Sequence, residues 1–236
     1  MNAKSKVSGV GIPKVDDVTG IVLAGGRSSR YGKNKALVKF QGVPLIERAL
    51  WTMDSIFHQV VLITNTPDTY AYLGVPMFED LIKGLGPLGG IHTGLEVIPD
   101  PAGFFVACDM PFLNPLLIRH MVAIRNNFDV VIPRVSGWVE ALHGLYTKKC
   151  SQSICKLIES GTYQVFGFFQ AVSVRFVDDR EVRQWDPDLR SFLNINTPDE
   201  LKRLQETTAA VRTVGDPPST HAPYGSRSES RKMAGS

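Results

Sequence analysis

Four short apolar runs punctuate the first 135 residues: Ile21-Val22-Leu23-Ala24, Val60-Val61-Leu62-Ile63, Phe104-Phe105-Val106-Ala107 and Val130-Val131-Ile132. Each has strand length, and none alternates with polar residues. Strands that are apolar on both faces belong in a parallel sheet covered by helices. The segments between them read as helices. From Pro44, the residues Leu45, Ile46, Ala49, Leu50, Met53 and Phe57 recur at helical spacing, which predicts a helix with proline in its first turn. Thr197-Pro198-Asp199-Glu200 has the form of a capping box opening a helix through Leu201 and Leu204. Repeated strand–helix order predicts one α/β domain over 18–206, a three-layer doubly wound, mostly parallel sheet with later mixed strands around Ala171 to Val177. In such sheets ligands bind beyond the carboxyl ends of the strands.

The two ends lack this pattern. Residues 1–17 are expected to form a flexible tail, and residues 207–236, rich in Ser, Thr, Gly and Pro, cannot bury enough surface to order themselves. The net charge of +3 lies in these ends, +1 in the first and +2 in the second, so that 18–206 is neutral. A neutral body lacks the clustered basic face a nucleic-acid surface needs. No apolar run approaches the roughly 18 residues of a membrane span, and residues 1–17 contain no secretory core, so the expected compartment is the cytoplasm. Three cysteines, Cys108, Cys150 and Cys155, without a C-x-x-C pair support neither a disulfide framework nor a zinc site, and are expected to be small core residues.

Chemistry concentrates after the runs. Gly25-Gly26-Arg27-Ser28-Ser29-Arg30-Tyr31-Gly32-Lys33-Asn34-Lys35 follows the first. Its glycines bring backbone N–H groups close to an anion, its serines add donors, and Arg30 and Lys35 neutralise negative charge, which suits a triphosphate. The spacing is neither a Walker A loop nor G-x-G-x-x-G. The alternative is a solvated turn with incidental charges. Asp109, at the end of the third run, stands where a carboxylate could hold Mg2+ against phosphates; the competing role is capping the helix that begins near Asn114 or Pro115. Asp80 precedes the glycine-rich Gly84-Leu85-Gly86-Pro87-Leu88-Gly89-Gly90, which either admits a flat base or forms a plain turn. His143, among apolar residues, reads as a hydrogen-bonded core group. Asn194 and Asn196 alternate with apolar residues as one face of a strand would, and either point at the site or satisfy turn backbone. No arrangement of Ser, Cys and His suggests a covalent nucleophile.

Leu23-Ala24-Gly25-Gly26, Ser28, Arg30, Gly32 and Lys35-Ala36-Leu37 together resemble the signature loop of nucleotidyltransferases with a Rossmann-like fold. With Gly86-Pro87-Leu88-Gly89-Gly90-Ile91, Cys108-Asp109-Met110-Pro111-Phe112, Leu142-His143-Gly144-Leu145-Tyr146 and Asn194-Ile195-Asn196-Thr197-Pro198, they most resemble the molybdenum cofactor guanylyltransferases, the MobA type. The resemblance spans about Val18 to Glu206. It implies that Leu23, Ala24, Gly25 and Gly26 line the GTP site, that Lys35 binds phosphate, that Asp80 contacts the nucleotide, and that Asp109 binds GTP and Mg2+, with Arg30, Lys35 and Asp109 carrying catalysis. The implied substrates are GTP and molybdenum-loaded molybdopterin, with transient contact to the molybdoenzymes that accept the product. Tyr31 departs from the family's usual methionine and Ala141 from its usual proline; Asn65 matches an asparagine that some members have after the second strand, but Ile63 occupies the position of a nucleotide-contacting asparagine in others. The nearest rivals are a CTP-dependent or sugar-phosphate nucleotidyltransferase and a nucleotide-binding regulator without activity; the double glycine favours guanine, and the joint presence of Lys35 and Asp109 favours an enzyme.

Overall fold

The computed structural model describes residues 12–25 and 34–208, together with Tyr224. Most of the anion loop, including Gly26 and Arg30, therefore lies outside the described residues, as do the greater parts of both expected tails. The first strand is β1 (Val18–Leu23). A hairpin of β2 (Lys39–Phe40) and β3 (Val43–Pro44) leads into helix α1 (Leu45–Ile56), then β4 (Val60–Ile63), α2 (Pro67–Tyr70) and β5 (Met77–Phe78). There follow α3 (Pro87–Val97), β6 (Ala102–Ala107), α4 (Pro115–Ala123), β7 (Val130–Val135), β8 (Trp138–Val139), β9 (His143–Thr147) and α5 (Cys150–Glu159). The described chain closes with β10 (Val174–Asp178), α6 (Asp179–Val182) and α7 (Pro198–Thr208).

The main sheet has the order β10-β7-β9-β6-β1-β4-β5, with β8 paired to β7 outside this path. All four apolar runs form strands of it. They are covered on both faces: α1 and α4 pack with Val22, Leu62, Phe104 and Val131 on one side, α3 and α5 with Ile21, Val61, Phe105 and Ile132 on the other. Each strand thus splits its side chains between two apolar layers, and no face needs polar residues. The mostly parallel sheet between two helical layers is the architecture expected from the sequence.

Local departures have physical reasons. Pro44 is not in the first turn of α1; it pairs with Lys39 across the hairpin and sits just before the helix with ψ 140°. The expected mixed strands around Ala171 to Val177 resolve into a 3-10 turn over Val165–Ala171 and a β10 that runs parallel to β7. The antiparallel members are the short β8, paired to β7, and β9, inserted between β6 and β7 and held by Gly103 to Tyr146 and Val130 to Tyr146 pairings. The β9 residues His143 to Thr147 form no continuous apolar run, so neither this strand nor its direction was readable from the apolar pattern. Close packing of α3 on the sheet depends on glycine: a Cβ on Gly94 would lie 2.5 Å from the Phe105 ring, and one on Gly90 3.1 Å from the Leu23 side chain.

Candidate active site

The carboxyl ends of β1, β4, β5 and β6 converge. Leu23 and Ala24 are buried, and Gly25 continues from them beyond the sheet edge. The turn after β6 is pinned to the same place, because the Cys108 N–H donates to the Leu23 carbonyl at 3.1 Å and the Ala107 N–H to the Leu142 carbonyl at 3.2 Å. Asp109 follows directly. Deeper in the same turn, the buried Arg48 of α1 donates from Nε to the Pro111 carbonyl at 3.1 Å, a contact made inside the core that fixes the turn's far side.

Lys35 reaches this carboxylate. Its Nζ lies 2.5 Å from Asp109 Oδ2 and donates to Asn196 Oδ1 at 2.7 Å. Both partners of the ion pair are largely shielded, with side chains 16% and 22% exposed, so their attraction is screened less than that of a surface pair. Lys35 sits in a single 3-10 turn, Lys35–Leu37, capped by the Asn34 side chain, which also exchanges hydrogen bonds with the Tyr70 hydroxyl. The competing role for Asp109 is not the one found: Asn114 caps α4, its Oδ1 accepting from Leu116 N–H at 2.9 Å and from Leu117 N–H at 3.3 Å.

Asn196 is the residue the sequence left undecided. It does not lie on a strand; it follows a 3-10 turn at Arg190–Phe192 and immediately precedes α7. The expected capping box is present, with Glu200 N–H donating to Thr197 Oγ1 and Thr197 N–H to Glu200 Oε2, both at 3.2 Å. Glu200 Oε2 also accepts the Asn196 N–H at 2.6 Å. The Ile195 N–H donates to the Asp109 carbonyl at 3.2 Å. The helix cap thereby delivers the Asn196 amide to Lys35. Asn194 is not drawn to the same point: its Oδ1 is buried without a hydrogen-bond partner among the described residues.

Asp80 lies beyond β5, across the sheet end from Asp109. Asn65, after β4, donates from Nδ2 to Asp80 Oδ2 at 2.7 Å and accepts the Asp80 N–H on Oδ1 at 3.1 Å. The next residue, Leu81, donates its N–H to Thr93 Oγ1 of α3 at 2.9 Å. Gly86, with φ +59°, makes the turn that starts α3, a conformation that favours glycine.

Two expected side groups are accounted for. His143 is buried, as expected, but neither ring nitrogen has a hydrogen-bond partner among the described residues; the ring packs edge-on against Phe104, 5.6 Å between centroids, and against Phe192 at 5.2 Å. Burial lowers its pKa to about 3, so it is neutral and unsuited to proton transfer. Cys150 is a core residue, and burial together with the Asp109 charge pushes the Cys108 thiol up to about 12, leaving no thiolate beside the site.

A metal here must rely on few protein ligands. Among the described residues no group of three or more His, Cys, Asp or Glu side chains could hold an ion. One carboxylate completed by phosphate oxygens is a hard-oxygen set that suits Mg2+, and Asp109 fits it. No helix among the described residues is long and apolar enough to cross a membrane.

Residues 20–173 match the family model described as the MobA-like NTP transferase domain. The molybdenum cofactor guanylyltransferase of Desulfosudis oleivorans is 35% identical over 200 residues, which cover 84% of this chain and 99% of the relative. Among solved structures, the molybdopterin-guanine dinucleotide biosynthesis protein A of Archaeoglobus fulgidus superposes with a TM-score of 0.72 at 28% identity, covering 82% of this chain and all of that one. The 4-diphosphocytidyl-2C-methyl-D-erythritol synthase of Anaerococcus prevotii shares the fold, with a TM-score of 0.61 at 15% identity over 81% of this chain and 96% of that one.

Proposed function

The chain belongs to the MobA-like NTP transferase family, and from that premise we propose that it transfers GMP from GTP to the terminal phosphate of molybdenum-loaded molybdopterin, releasing pyrophosphate. The observation that carries this reading is the Lys35 ammonium held between Asp109 Oδ2 at 2.5 Å and Asn196 Oδ1 at 2.7 Å, beside the backbone of Leu23, Ala24 and Gly25. Such a cluster offers one cation and one carboxylate to a triphosphate in a place where strands end and backbone N–H groups are available.

The chemistry requires an acceptor phosphate oxygen to approach the α-phosphorus in line with the departing pyrophosphate. No covalent intermediate is needed, and among the described residues no activated nucleophile stands at the site. Catalysis then rests on positioning and on neutralising charge as it moves to the leaving group. Lys35 exchanges its carboxylate partner for phosphate oxygens when the nucleotide binds, and Asn196 keeps the ammonium in reach during that exchange. Arg30 and Gly26, outside the described residues, add a second cation and a further backbone approach. Asp109 and the phosphates hold Mg2+, which supplies charge neutralisation at the phosphoryl oxygens. Asp80 contacts the base. The loaded pterin occupies the other side of the α-phosphate, and its product passes to molybdoenzymes; the reaction is that of a cytoplasmic enzyme.

The test is pyrophosphate release by the purified protein with the loaded pterin, Mg2+ and either GTP or CTP. Release with GTP, and at least about tenfold less with CTP, is the expected result. Equal rates with both nucleotides would overturn guanine transfer, and no release with either would overturn the reaction.

A further inference from the structure

Asn65 is exposed, yet both ends of its amide are engaged by a single residue. Its orientation is fixed by donor and acceptor chemistry alone. The Asp80 N–H only donates, so the amide atom facing it is Oδ1; the Asp80 carboxylate only accepts, so the atom facing it is Nδ2. The two bonds form a ring that clamps the carboxylate against its own backbone. Leu81 is tied to Thr93 on α3, and the Gly89 Cβ position lies 3.9 Å from Asp80 Cγ with no side chain there to crowd it.

Among the described residues the Asp80 carboxylate forms no salt bridge, although the charge of Lys83 is felt there. The neighbouring Lys83 pairs with Glu79 at 2.6 Å instead. An aspartate held rigid by an amide, rather than neutralised, keeps its acceptor capacity for something else. Guanine offers a matching edge, since its N1–H and exocyclic amine are adjacent donors, whereas cytosine presents no such pair. We infer that Asn65 is a specificity-determining residue that acts through Asp80, orienting its carboxylate to accept the N1–H and amino donors of guanine. This inference rests on the guanylyl-transfer reading above. It assigns base choice to the β4–β5 edge, away from the phosphate cluster at Lys35 and Asp109.

Inosine triphosphate separates a positioning role from a merely structural one, because it keeps N1–H and lacks the amine. In calorimetric titrations with Mg2+ present and no acceptor, wild-type protein should bind GTP more tightly than inosine triphosphate. Asn65→Ala should weaken GTP by about tenfold, the loss of an oriented hydrogen bond to a charged group, and inosine triphosphate by no more than about threefold. Parallel weakening of both nucleotides, or a wild type that binds both equally, would overturn the inference. Asp80→Asn, which turns one acceptor into a donor, gives a second arm: it should abolish the preference for GTP, and its retention would overturn the inference even if Asn65→Ala failed to fold. Binding discrimination without pyrophosphate release in the presence of the pterin would instead sink the transfer reaction and leave the role of Asn65 standing.

Discussion

At the scale of single residues, the shielded pair of Lys35 and Asp109 implies unequal consequences for its two members. Asp109→Ala removes the carboxylate proposed to hold Mg2+ and should lower pyrophosphate release by at least about a hundredfold, while GTP affinity measured by titration changes far less. Asn196→Ala leaves both charges in place but removes one of the ammonium's two partners, and a smaller loss of about three- to tenfold in kcat/KM is expected. His143 bears on stability rather than on turnover. Its buried ring holds a pKa of about 3 in the folded chain and about 6.5 when unfolded. Below that upper value the unfolded chain binds the extra proton. Stability should therefore fall with decreasing pH between roughly 6.5 and 3, with a limiting slope of about 1.4 kcal/mol per pH unit. Denaturant titrations at pH 7 and 5 on the protein and on His143→Met should show the slope lost in the variant. Asp109 was legible because it follows an apolar run within two residues, and Lys35 because it closes the glycine-rich cationic loop that follows another. The role of Asn196 was not, since its partner lies 161 positions away and its alternation with Leu193 and Ile195 imitates a strand.

Elements, in turn, explain why the site has the shape it does. The capping box of α7 was readable from Thr197 to Glu200 alone, but what the cap does was not: Glu200 Oε2 also accepts the Asn196 N–H. Glu200→Ala should cost about 1 kcal/mol of stability and lower activity as Asn196→Ala does, although among the described residues the Glu200 side chain bonds only the backbone N–H groups of Asn196 and Thr197. A steady-state assay beside a denaturant melt would detect both. Helix α3 depends on closeness. In Gly94→Ala, about 1 kcal/mol of helix propensity opposes overpacking against the rigid, fully buried Phe105 ring. Overpacking typically costs about 1–3 kcal/mol, so a net loss of about 1 kcal/mol is expected in a denaturant titration. Strand direction was the least legible property at this scale, because β9 has only Leu145 and Tyr146 as large apolar residues, unlike its neighbours β6 and β7, and only its pairing reveals the reversal.

Across the whole molecule, the sheet order sets the distances over which the site works. The strands β5, β4, β1 and β6 lie side by side, so the proposed base contact at Asp80 and the proposed metal contact at Asp109 stand at the ends of strands separated by β4 and β1. The layered α/β plan was legible from continuous apolar runs, because only a sheet covered on both faces tolerates them. GTP with Mg2+ should therefore add a bridge between the segments that follow these paired strands. At a concentration 100 times its Kd it should raise stability by about 2.7 kcal/mol, visible as a higher Tm, with a smaller rise for CTP.

The amide from the segment before α7 reaches back across the chain to the ammonium of residue 35. A nascent polypeptide that has emerged from the ribosome only as far as Asp178 already contains every strand of the main sheet, along with the loop and the carboxylate. It still lacks the Asn196 amide, so the ion pair of Lys35 and Asp109 can form before its third member has been made.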